Sequence, residues 1–226
     1  MNALDNASIE VPHHDGLTPI VLPRARSSKP GVSVEYVPDP ARQWYVLRIL
    51  YGHARQIADV LIQDGHYAYV ALIWKVERKD GRIHKRLVPF LNLLFAYLTA
   101  QEAADYVKDS PDSRFITYYY DHFSLNCEGR NPPLTISDHD VRQIVRATAI
   151  GDEHVMEVDL KTCRFISDDP VVVIDGPFKG ITGRVARIAR QHRVVIHIKG
   201  LSSGLTTAYI PPYYLRKLDP EDLIDN

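Results

Sequence analysis

The sequence predicts an α+β fold, an antiparallel sheet with flanking helices followed by a small all-β barrel. Two observations carry this. Residues 43–150 alternate β-prone runs with amphipathic stretches in the order strand, helix, hairpin strands, helix, strand, helix. Residues 170–218 lose every helical period and show short β-rich runs between Gly and Pro turns. The length of 226 residues suits one medium and one small domain. A hydrophobic share of 45% and a charged share of 24% are ordinary globular values and suggest neither disorder, a fibre nor a membrane protein.

Residues 1–42 read as a loosely ordered arm, because six prolines (Pro12, Pro19, Pro23, Pro30, Pro38, Pro40) interrupt a stretch with no sustained period. A patch at Val32, Val34, Tyr36 and Val37 is a weak edge-strand signal. Regular order begins at Trp44 with a nearly continuous run of aromatic and β-branched residues to Leu50, the pattern of a buried central strand. Between Gly52 and Gly65, Ala54, Ile57, Ala58 and Leu61 fall at i, i+3, i+4 and i+7, one apolar helical stripe. Residues 71–78 and 83–88 flank Asp80-Gly81, a pair that favours a type I′ hairpin turn. Six Lys/Arg against Glu77 and Asp80 make residues 75–86 basic, so Lys79, Arg82, Lys85 and Arg86 are candidate contacts to nucleic-acid phosphates. Basic residues on an exposed strand also serve simply to block aggregation, and the two readings weigh equally.

Residues 90–98 are too apolar for a half-exposed strand and read as a buried one. Thr99 and Glu102 have capping-box spacing and start a second helix, which Ser110-Pro111 ends. Residues 114–120 read as a strand, and Asn131-Pro132-Pro133 as a turn. Ser137 caps a third helix with the stripe Val141, Ile144, Val145 and Thr148. Residues 151–169 have a weaker pattern and are expected to link this domain to the barrel at 170–218, with 219–226 as a tail.

Net charge is -1, but eight Lys/Arg against Asp175 give residues 170–218 a charge of +7, leaving -8 for the rest. That asymmetry hints that the C-terminal part meets something anionic, although a solvated basic face explains it as well. Cys127 and Cys163 are too far apart for a CxxC clip, which fits a reducing compartment. No stretch approaches the ~18 apolar residues of a membrane span, and a cytoplasmic protein is expected.

The most specific string runs from Val171 to Val185: Val-Val-Val-Ile-Asp-Gly-Pro-Phe-Lys-Gly-Ile-Thr-Gly-Arg-Val. A strand must turn at Gly176-Pro177, present Phe178 on a loop and re-enter at Gly183, where a side chain would crowd the backbone. The string resembles a KOW motif, and Trp44-Tyr45-Val46 resembles the opening strand of a NusG N-terminal (NGN) domain. Residues 131–137 resemble the entry to that domain's last helix, and 84–91 its basic-then-apolar stretch. Asn92-Leu93-Leu94 stands where the family has Pro-Gly-Tyr, so the chain is similar to the divergent UpxY and RfaH-like antiterminators.

The resemblance, which spans about residues 43–218, implies an NGN-like domain followed by an SH3-like KOW barrel, in a non-enzymatic transcription elongation or antitermination factor. It implies RNA polymerase as partner, docked through Trp44, Leu91, Phe95 and Ile116. It further implies a second partner, a ribosomal protein or the Rho factor, at the barrel loop of Gly176, Pro177, Phe178 and Lys179. An RNA- or ribosome-binding KOW protein acting without polymerase is the alternative. Neither cofactor, metal nor small-molecule substrate is expected, and the chain is expected to be a monomer. The glycines at 176, 180 and 183 fit no nucleotide-binding fingerprint. Asp138-His139-Asp140 reads as helix-start charge, and His13-His14-Asp15 lacks the further ligands of a zinc site.

Overall fold

The computed structural model describes residues 38–188 and 190–218, together with the backbone of 20–21 and 35–36. Two short strands, β1 (Ile20–Val21) and β2 (Glu35–Tyr36), pair with each other inside the proline-rich arm. Val32, Val34 and Val37, the histidines at 13 and 14, and the tail from 219 lie outside the described residues. The rest is α+β, with three α-helices and antiparallel sheets.

The first sheet is built on β3 (Gln43–Ile49), which is followed by α1 (Ala54–Gln63) and β4 (Tyr67–Tyr69). The hairpin strands β5 (Leu72–Lys79) and β6 (Arg82–Pro89) come next, then β7 (Leu93–Leu98), α2 (Ala100–Lys108) and β8 (Ile116–Tyr118). β9 (Thr135–Ile136) and α3 (Asp138–Ala149) complete this half. Sheet order is β4-β7-β3-β8, and β9 also pairs with β3. Because strand side chains alternate, β3 sends Trp44 and Val46 into one core and Leu47 and Ile49 into another. The Leu47 side is covered by α1, whose stripe is buried as its spacing predicts, and by Ala103 of α2. The Trp44 side is covered by α3, whose Val141, Ile144, Val145 and Thr148 are buried.

The expected strand over 90–98 begins only at Leu93. Residues 90–92 form a 3-10 turn in which Leu91 and Asn92 have φ of 51° and 56°, and the Phe90 amide bonds the Ala71 carbonyl at 2.8 Å. That turn lets the chain leave the hairpin and re-enter the sheet while Phe90 stays buried. The strand expected over 114–120 is shorter for a similar reason, since residues 113–115 coil into a 3-10 turn before it.

Residues 151–169 are more than a link. β10 (Met156–Asp159) and the front of β11 (Phe165–Val173) lie there, followed by β12 (Thr182–Ile188), β13 (Gln191–Ile196), β14 (Ser203–Thr206) and β15 (Leu215–Lys217). These six strands form one antiparallel sheet in the order β10-β14-β13-β12-β11-β15. β10 escaped the sequence pattern because Glu157 and Asp159 face solvent on an edge strand, and β11 because Pro170 follows a register shift. β10 and β15 end the sheet, with no pairing between them among the described residues.

The two halves share a core. One continuous apolar cluster runs from Trp44, Val46 and Phe95 through Val141 and Ile144 to Phe178, Ile181, Val194 and Leu205. Polar contacts fasten the same seam: the Gln143 side chain donates to the Gly180 carbonyl at 3.3 Å and accepts from the Thr182 amide at 2.9 Å. At Gly200 the halves approach so closely that a Cβ would stand 2.3 Å from Leu134 Cδ1.

Candidate nucleic-acid interface

The hairpin forms because Asp80 and Gly81 both take positive φ, 53° and 72°, the pair of left-handed residues that a type I′ turn requires. The resulting ribbon is a two-stranded sheet of its own. At its base the Trp74 indole donates to the Gly151 carbonyl at 3.1 Å, and Lys85 pairs with Glu153. Beyond that anchor both strands are almost entirely exposed from Lys75 to Arg86.

Register divides the ribbon into two faces. Lys75 stands opposite Arg86, Glu77 opposite His84, and Lys79 opposite Arg82, all on one face. The other face carries Trp74 opposite Leu87, Val76 opposite Lys85 and Arg78 opposite Ile83, a mixed apolar and basic surface. Like charges facing each other across a ladder are destabilising. Glu77 relieves the first pair, bonding Lys75 at 3.4 Å and Arg86 at 3.1 Å, which holds its own carboxyl below the usual range. Among the described residues Lys79 and Arg82 at the tip have no ion-pair partner, although they sit cross-strand. A ribbon of this width, with paired cations at its end, can reach phosphates along a nucleic-acid groove.

The residues expected to dock on a partner are placed differently. Trp44, Phe95 and Ile116 are interior: Trp44 is 1% exposed and its indole donates to Asp138 at 3.0 Å, while Phe95 and Ile116 are buried on strands covered by helices. Buried in this way, the three side chains offer no exposed apolar surface to a partner, which corrects the expectation of a docking face at these positions. Leu91 is half-buried on the left-handed turn. An exposed apolar cluster lies elsewhere, at the end of β3. Tyr51, left-handed at φ 55° and 84% exposed, and His53, stacked at 4.1 Å, flank the Phe115 ring, over which the Arg114 guanidinium sits at 4.6 Å.

The loop at residues 176–179 is also corrected in part. Gly176 takes φ 84° against the Tyr214 ring, Pro177 and Lys179 face solvent, but Phe178 is only 5% exposed and packs in the shared core. The turn expected to display an aromatic ring inserts it instead. Gly183 meets its expectation, since a Cβ there would stand 2.3 Å from the Val195 carbonyl oxygen.

Asp140 completes the capping box of α3 with Ser137, and His139 bonds Thr182 at 3.2 Å across the seam. Among the described residues no three His, Cys, Asp or Glu side chains group as metal ligands. No helix among them is long and apolar enough to cross a membrane. The chain matches no protein-family model and no curated protein.

Proposed function

We propose that this chain is a non-enzymatic transcription elongation or antitermination factor of the NusG type. In this reading the first half is an NGN-like body that docks on RNA polymerase. The second half, a six-stranded antiparallel sheet, is read as a KOW module of the SH3-like barrel kind that engages a further partner. The observation that carries the reading is the ribbon: Lys79 and Arg82 face each other at an exposed tip, and among the described residues neither forms an ion pair, although Asp80 lies in the turn between them. Such a pair costs stability in the free protein and gains a partner only when phosphates arrive. The sequence resemblance supplies the rest of the assignment. With Trp44, Phe95 and Ile116 interior, the apolar surface offered to polymerase is the Tyr51–Phe115 cluster.

The test is retention of the full chain by purified RNA polymerase and by elongation complexes carrying a nucleic-acid scaffold. Retention by both is expected, with Lys79→Glu/Arg82→Glu weakening only the scaffold-dependent part. Binding of the chain to RNA alone, with none to polymerase, would favour an RNA-binding module. One feature favours that second reading: Tyr209 and Tyr213 are exposed on the basic C-terminal half, where aromatic rings beside cations suit stacking on bases.

A further inference from the structure

Between β8 and β9 the chain makes an excursion over residues 121–131 that is tightly braced. The Asp121 backbone amide bonds the Pro132 carbonyl at 2.9 Å, and the Asn131 side-chain Nδ2 donates to the carbonyls of Asp121 and Ser124. Asn126 accepts from the amides of Glu128 and Arg130. Despite this bracing the loop holds Phe123 71% and Leu125 68% exposed. Ordering a loop and leaving its largest apolar side chains in water marks an interaction surface.

Beside the loop, on the side of the sheet that carries α2, lies a groove of about 560 Å3 lined by Tyr45, Tyr118, Asp121, Pro132, Pro133 and Thr135 among others. Tyr45 and Tyr118 line it with ring centres 6.3 Å apart and tilted against each other, and the exposed Tyr120 ring lies 6.1 Å from that of Tyr118. Among the described residues the Tyr45 and Tyr118 hydroxyls form no hydrogen bond, though both rings are half-buried. Burial pushes both phenols above their usual range, so they stay protonated donors.

We propose that this groove binds a proline-rich segment of a partner protein flanked by basic residues. A polyproline II strand rises about 3.1 Å per residue, so the ring spacing corresponds to two residues and each furrow takes a pyrrolidine edge. Its carbonyls have no internal partners and accept from the free tyrosine hydroxyls. Charge selects the flanks: Asp121 lines the groove, and Asp105 of α2, outside the lining, acts weakly on Tyr118. Asp121 is kept ionised by the Ser124 hydroxyl, the Phe123 amide and, more weakly, Lys199. That acidic rim opposes nucleic-acid phosphates and suits Arg or Lys.

The probe is a fluorescein-labelled decapeptide of alternating proline pairs and arginines, titrated into the full chain by anisotropy. Saturable micromolar binding is expected. The hydroxyl-deleting Tyr45→Phe/Tyr118→Phe variant and Tyr120→Ala, each with an unchanged melting temperature, should weaken it about tenfold. Asp121→Asn should weaken it and flatten its salt dependence. Absence of saturable binding, equal binding of a glutamate-flanked peptide, or variants that bind like the parent chain would overturn the proposal. So would tighter binding of an oligothymidine at the same groove.

Discussion

Tyr69 shows how one buried hydroxyl ties alkaline stability to the fold. Its phenol bonds Thr148 across the core between β4 and α3, and burial pushes its pKa up to about 12 from the ordinary value of 10. A raised folded-state value means the stabilisation is complete below pH 10 and is lost as pH climbs towards 12. Denaturant titrations at pH 9 and pH 11.5 should show an extra loss on the order of 1 to 2 kcal/mol that Tyr69→Phe removes. Gly183 makes the steric counterpart: Gly183→Ala forces a Cβ into the Val195 carbonyl, and a thermal melt should show a loss of about 3 kcal/mol or failure to fold. Gly183 was legible because a strand glycine signals close backbone approach. Phe178 was misread because turn chemistry fixes the backbone path and says nothing of which neighbour covers the side chain.

At the scale of elements, local rules were read most faithfully. The capping boxes of Thr99 with Glu102 and of Ser137 with Asp140 both form, and the Asp-Gly turn takes its two positive φ values. Thr99→Ala should cost about 1 kcal/mol in chemical denaturation, since the Glu102 amide loses its acceptor. β10 and the 3-10 turn at Phe90 were not legible, because their form is set by distant partners, Ser203–Thr206 and Ala71. For the ribbon, the sequence showed the charge but not that strand register pairs Lys79 with Arg82. Lys79→Glu/Arg82→Glu should leave the melting temperature unchanged while lowering affinity for scaffold-bearing elongation complexes and flattening its salt dependence by about two phosphate contacts.

Across the whole molecule the separation into two domains is less complete than composition suggested. The apolar cluster spans both halves, and Gln143, Arg146 and His139 of α3 all bond the strand and loop at Gly180–Thr182. Periodicity locates each half's apolar faces but cannot tell which face of α3 meets which sheet. A single cooperative calorimetric transition is therefore expected, and Gln143→Ala, which removes the acceptor of the Thr182 amide while Arg146 still donates to the Gly180 carbonyl, should lower it without splitting it.

The most direct measurement is cross-linking from the ribbon tip within an elongation complex, using a photoreactive residue at position 81 of the full chain. The account predicts adducts to nucleic acid only when polymerase is present, and their loss when Lys79 and Arg82 are reversed to glutamate. Adducts of equal yield without polymerase, or none on the complex, would contradict it.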